Sequence, residues 1–231
     1  MLFRSALETS TQAGSVALLV GDTLTERPVT GRPGHSETLL PATMSLLREC
    51  GVTLAELDAI AFGAGPGAFT GLRLACGVAQ GLALGAGKPV IPVSNLEALA
   101  SQCPGEALFI AIDARMSEVY FAAYRRSGGA LRELAPPQCA SPEAVRLPEE
   151  GHWAGFGSAF QAYRDVLVNA LGARLDSFDD TPQPAAGAIA RLAAQRFEKG
   201  EAIDPVLAAP LYVRDKVALT TEERLARGGK A

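Results

Sequence analysis

Residues 63 to 87, GAGPGAFTGLRLACGVAQGLALGAG, hold eight glycines and six alanines in twenty-five positions, with Arg73 and Gln80 the only long polar side chains. So bare a stretch must let backbone approach backbone, because each glycine inside a helix costs about 0.5–1 kcal/mol relative to alanine and needs a packing reason. It is not a P-loop, since GAGPGAFTGLR lacks the Lys-Ser/Thr pair that reaches phosphate and magnesium. Gly63, Gly65, Gly67 and Gly71 also miss the G-x-G-x-x-G spacing of a dinucleotide fold. The loop does run into a helix N-terminus, which attracts anions, so weak phosphate or carboxylate binding stays open. From Thr70 to Gly85 the helix is small or apolar nearly all round, a pattern of burial on more than one side. The run is shorter than the roughly 20 residues that cross a bilayer, and no membrane span is expected. Gly77, Gly81 and Gly85 recur every fourth residue and form one stripe. That stripe either packs inside its own lobe or receives a helix from outside.

The 231 residues are enough for one large domain or two small lobes with a real core. A net charge of -4 argues against strong unaided binding of nucleic acid, which depends on many Lys/Arg contacts to phosphate. Any RNA contact needs a partner. Cys50, Cys76, Cys103 and Cys139 contain no C-x-x-C pair, and MLFRSALETS lacks the apolar run of a signal peptide, so a reducing cytoplasm is expected. With His35 and His152 the only histidines, a structural zinc site is not expected.

Along the chain, residues 2 to 8, 15 to 20 and a run ending at VTG (29 to 31) read as an antiparallel meander. HSETLLPATMSLLREC follows as a helix with Leu40, Met44 and Leu47 on one face, its regular part beginning near Pro41. LDAIAFGAG and KPVIPVS are strands bracketing the small-residue helix, and NLEALASQ is a further helix. EALFIAID, SEVYFAAYRR and ALREL repeat the meander, with helical patterns at AFQAYRDVLVNAL and AAGAIARLAAQRFEKG. The repeated order predicts two related α/β lobes: residues 1–105, residues 106–215 and a charged tail at 216–231, with PVLAAPLYVRDKVA crossing back in extended form.

The stretch AFGAGPGAFTGLRLACGVAQGLALGAGKPVIPVSNLEALA resembles the signature of the TsaB (YeaZ) family, bacterial proteins of threonylcarbamoyladenosine tRNA modification. ETSTQAGSVALL, HSETLLP, DARMSEVYFAAY and APLYVRDKVA resemble further family segments, while residues 125 to 200 do so only thinly. The resemblance implies a two-lobed actin-like, sugar-kinase-like (ASKHA) α/β fold, each lobe a mixed sheet with flanking helices. It implies a cytoplasmic, non-catalytic scaffold that pairs with a TsaD-like catalytic subunit, is joined by a TsaE-like ATPase, and meets tRNA only through the complex. The implied partner-binding helices are residues 36 to 50 and 70 to 86, with Leu40, Met44, Leu47, Arg73, Gly77, Gly81 and Gly85 on the contact face. The same face would serve a homodimer when the chain is alone. No cofactor of its own is implied, although ATP or ADP could lie at a subunit boundary.

In the catalytic paralogue two histidines four residues apart hold the metal; by resemblance Asn95 and Leu99 stand in their places. Leucine has no donor atom and an asparagine amide is a poor transition-metal ligand, so no metal site is expected. Glu8, Thr9, Ser10 and Asp113 stand where actin-like ATPases organise magnesium and phosphate and form a candidate vestigial nucleotide site. Asp113-Ala114-Arg115 lacks the glycines that let backbone amides approach phosphate. No catalytic residue is assigned. Asp113, Arg115, Glu118 and Tyr120 read as a structural ion-pair cluster with a catalytic alternative. A nucleotide-binding ATPase and a glycoprotease-type hydrolase are the competing functions.

Overall fold

The structure is a computed structural model that describes residues 3–29, 34–148 and 151–214. The first meander forms as β1 (Phe3–Glu8), β2 (Gly14–Val20) and β3 (Thr23–Val29); Thr30 and Gly31 lie outside the described residues. Two parallel strands, β4 (Ala59–Gly65) and β5 (Val90–Ser94), complete a sheet of order β3-β2-β1-β4-β5. The second half repeats this plan with β6 (Ala107–Arg115), β7 (Glu118–Ser127), β8 (Ala130–Ala140), β9 (Trp153–Phe156) and β10 (Leu175–Asp179), in the order β10-β9-β6-β7-β8. Each is a mixed sheet with flanking helices, the arrangement of the two-lobed actin-like, sugar-kinase-like fold. Pro136 and Pro137 fall within β8, where an edge strand tolerates their missing N–H groups.

Alternation along β1 sends Leu7 to one face and Ala6 to the other. On the Leu7 face lie α1 (His35–Glu49) and α2 (Phe69–Ala86), packed through Leu39, Leu46 and Leu47 and through Ala75, Cys76, Ala79 and Ala83. The other face is lined by alanines, Ala6, Ala17, Ala59 and Ala61, over which α6 (Ala186–Glu198) closes with its own small residues. Residues 186–198 follow the second meander in sequence, yet they pack on the first sheet. Conversely, α3 (Asn95–Gln102) precedes the second meander and buries Leu96, Leu99 and Ala100 against the second sheet. The halves are thereby interlocked by exchanged helices.

Two helix expectations are corrected. The first helix begins at His35 rather than near Pro41, with Pro41 inside it. Both Pro41 and Glu37, whose carbonyl loses its usual donor, face solvent, so the orphaned group is hydrated. The expected single helix AFQAYRDVLVNAL is two, α4 (Ala159–Ala162) and α5 (Arg164–Leu171), broken at Tyr163 (φ -137°, ψ 34°), whose hydroxyl donates to Asp113 Oδ1 at 3.2 Å. The expected tail at 216–231 lies outside the described residues.

The glycines of the 63–87 stretch fall into two classes. A Cβ at Gly71 would collide with the Thr9 carbonyl, one at Gly67 would lie 2.5 Å from Ser10 Cβ, and one at Gly65 2.7 Å from the Leu211 carbonyl. At Gly77, Gly81 and Gly85 a Cβ would meet nothing within 4 Å. Gly71→Ala is therefore expected to cost about 1–3 kcal/mol through overpacking against backbone. Gly77→Ala is expected to stabilise by about 0.5–1 kcal/mol. Urea unfolding of the two variants checks this, and equal effects would contradict it.

Candidate functional site

A cleft of about 1050 Å³ separates the lobes, bordered by Thr9 and Ser10 after β1, Thr70 and Arg73 at the start of α2, and Asp113 and Arg115 at the end of β6. Its polar groups are largely engaged with one another. Thr9 donates its hydroxyl to the Gly71 carbonyl at 2.8 Å, and Ser10 donates to Glu8 through both its hydroxyl and, at 2.5 Å, its backbone N–H. Asp113 accepts from the Arg115 backbone at 2.8 Å and pairs with its guanidinium at 3.1 Å. Of the four residues expected at a vestigial nucleotide site, Thr9, Ser10 and Asp113 border the cleft. Glu8 does not: its carboxyl is fully buried beneath the sheet end, against Gly63 and Asn95, because strand alternation turns it to the α3 side.

The cluster of Asp113, Arg115, Glu118 and Tyr120 separates into two. Asp113 and Arg115 face the cleft, whereas Glu118 and Tyr120 meet Arg214, whose guanidinium lies 2.6 Å from Glu118 Oε2 and 5.5 Å from the Tyr120 ring centre. Arg214 also donates to the carbonyls of Ala114 (2.9 Å) and Arg115 (3.2 Å). It thereby clamps a turn in which Arg115, Met116 and Ser117 all have left-handed backbones (φ 61°, 56° and 59°), a strained conformation for residues with side chains. Sequence reasoning missed Arg214; its only signal is its place in the extended APLYVRDKVA segment. That segment crosses from lobe to lobe: Ile203 bridges to Val90, Leu211 donates to the Ala64 carbonyl at 2.7 Å, and Val213 joins the second sheet's core.

The outer face of α1 and α2 is the second feature. Leu40 (45% exposed), Met44 (39%) and Leu84 (55%) stand out on the same side of the lobe as the open stripe of Gly77, Gly81 and Gly85. Leu47, expected beside Leu40 and Met44, is only 2% exposed and belongs to the core, since its position on the helix falls with Leu39, Thr43 and Leu46 on the sheet side. The expectation that α2 is buried on more than one side is also corrected: Leu72, Ala75, Cys76, Ala79 and Ala83 make one buried face. By length and composition alone α2 could cross a membrane, but that face makes it a core helix of the lobe. A cation at a helix N-terminus needs compensation. Arg73 finds it in aromatic faces, lying 4.0 Å from the Phe69 ring centre and donating Nε to the Tyr212 hydroxyl at 3.0 Å.

For chemistry, the ingredients are sparse. Burial pushes the thiols of Cys76, Cys103 and Cys139 up, Cys103 to about 12, away from the thiolate needed for nucleophilic attack. His152 pairs with Asp176 at 2.6 Å, and neither histidine is hydrogen-bonded to a serine, threonine or cysteine among the described residues. No group of three or more His, Cys, Asp or Glu converges among the described residues. Replacing Arg214 by alanine removes charge-assisted bonds to two carbonyls and an ion pair with a carboxylate. It is expected to cost about 2 kcal/mol in urea unfolding, with lysine, which lacks the planar fork, restoring only part.

A family model described as TsaD, tRNA N6-adenosine threonylcarbamoyltransferase, matches residues 27–220. The chain is 36% identical to the tRNA threonylcarbamoyladenosine biosynthesis protein TsaB of Haemophilus influenzae, over 92% of this chain and 93% of that one. It is 34% identical to TsaB of Escherichia coli, over 92% and 95%. Among solved structures, YeaZ from Pseudomonas aeruginosa superposes with a TM-score of 0.83 at 38% identity, covering 92% of this chain and all of that one. A second structure, titled as an uncharacterized protein with similarity to peptidase YEAZ from the same organism, gives a TM-score of 0.85 at 38% identity over 93% of this chain and all of the other.

Proposed function

The chain belongs to the TsaB family, within the wider TsaD family whose model it matches, and we propose that it acts in the cytoplasm as the non-catalytic scaffold of tRNA threonylcarbamoyladenosine formation. In this reading it docks a TsaD-like catalytic subunit on the outer face of α1 and α2 and activates it together with a TsaE-like ATPase. The observation that carries the proposal is the open stripe of Gly77, Gly81 and Gly85, where a Cβ meets nothing and exposed Leu40, Met44 and Leu84 stand on the same side. Glycine is costly in a helix, so three that serve no internal contact are best accounted for by a partner backbone that must come close. Such a surface can pair with a second copy of itself about a twofold axis, which supports a homodimer when the catalytic subunit is absent. The net charge of -4 supports tRNA binding through the assembled complex rather than by this subunit.

The test is Gly81→Leu, at the centre of the stripe. Leucine improves helix propensity and its Cβ enters open space, so the variant is expected to stay folded by circular dichroism and thermal melting. Light scattering is expected to show it failing both to bind the TsaD-like subunit and to self-associate. A folded variant that binds normally would place the interface elsewhere. The isolated chain is further expected neither to form threonylcarbamoyladenosine nor to hydrolyse ATP; turnover by the chain alone, lost in Asp113→Ala, would overturn the scaffold reading.

A further inference from the structure

Beneath the cleft floor two oxygen atoms lack any hydrogen-bond donor: Oε2 of Glu8 and Oδ1 of Asn95. Both residues are fully buried, and both oxygens lie where a Cβ on Gly63 would fall, so they sit side by side. The opposite ends of both groups are already fixed. Glu8 Oε1 accepts from the backbone N–H and hydroxyl of Ser10, and Asn95 Nδ2 donates to the Pro66 carbonyl at 3.3 Å. Turning the Asn95 amide over would offer its N–H to Glu8 but set its oxygen against the Pro66 carbonyl, and two acceptors facing one another without a proton is a costly buried arrangement. A proton on Glu8 satisfies every atom at once.

We propose that in the folded protein at mildly acidic pH Glu8 is a neutral carboxylic acid and donates a hydrogen bond from Oε2 to Oδ1 of Asn95. The pair ties the end of β1 to the start of α3 and, through Pro66, to the loop that launches α2. Among the described residues no charged side chain shares the site. Arg4 on β1 stacks on Phe197 of α6, Glu26 on β3 accepts from the Gly187 backbone, and Glu97 on α3 is paired with Arg196 of α6. His35 at the start of α1 lies against Gly14, beside the Glu8 backbone carbonyl rather than its carboxyl. Burial pushes the Glu8 carboxyl up and outweighs the opposing pull of the Ser10 bonds, leaving it raised from 4.5 to about 7.

The sign of the pH dependence follows. Between about 4.5 and 7 the unfolded chain has released this proton and the folded chain still holds it, so stability falls as pH rises across that window and then levels. Glu8→Gln supplies a permanent donor in the same place. The folding equilibrium constant of the wild type is expected to fall about 150-fold relative to that of Glu8→Gln between pH 4.5 and pH 8. Parallel profiles would overturn the proposal. Carbon-13 NMR of glutamate-labelled wild type gives a second reading: one carboxyl is expected to titrate near 7, to vanish in Glu8→Gln and to move higher in Ser10→Ala, which removes a donor to the ionised form. If Glu8→Gln does not fold, the wild type and Ser10→Ala still decide. All glutamates titrating in the ordinary carboxylate range, or a high resonance that Ser10→Ala leaves in place, overturns it.

Discussion

The carbonyl of Thr9 occupies the space that a side chain on Gly71 would need, and the Thr9 hydroxyl donates to the Gly71 carbonyl. That contact presses the turn after β1 into the first turn of α2, and the neighbouring approach of Ser10 to Gly67 continues it. Because the helix is seated this way, its rotation about its own axis is set. Leu72, Ala75, Cys76, Ala79 and Ala83 face the sheet, and the residues about half a turn from them, Gly77, Gly81 and Gly85, face out. Glycines that look alike in sequence thus do opposite things: the first group is bare because the chain touches it, the second although nothing does.

The seat of α2 is held from several directions. The buried Glu8 and Asn95 pair fixes the loop through Pro66, and the extended segment after α6 lies over Gly65, where the Leu211 carbonyl excludes any side chain. That segment then reaches the second lobe, where Arg214 closes on the β6–β7 turn. Together with the exchange of α3 and α6 between sheets, this makes the lobe that carries the outer face mechanically continuous with the other. The cleft between them is bordered by Thr9, Ser10, Asp113 and Arg115, each already hydrogen-bonded to a neighbouring residue.

Much of the architecture was legible in the sequence. Period-two runs separated by glycine and polar turns marked both meanders, and the repeated order of elements pointed to two related lobes. What escaped was long-range. No local pattern says that α6 crosses to the first sheet, since its apolar face would suit either; only the alanines of β1, β2 and β4 that receive it hint at a close-packed neighbour. Leu40, Met44 and Leu47 share one face on a helical projection, but Leu47 lies at its edge nearest Leu39, Thr43 and Leu46 and is core while the other two are exposed. The direction of Glu8 likewise depends on strand parity, which turns its carboxyl to Gly63 and Asn95 instead of the cleft.

The outer face of α1 and α2, bare along the glycine stripe, is the proposed docking surface for a TsaD-like subunit. The sequence has three methionines, of which Met44 lies on that face and Met116 on the β6–β7 turn of the second lobe. Methyl NMR of methionine-labelled chain titrated with the TsaD-like subunit tests the claim without altering a residue. The Met44 methyl is expected to shift or broaden as the complex forms. A Met44 signal that stays unchanged while sedimentation shows the complex to be assembled would contradict it.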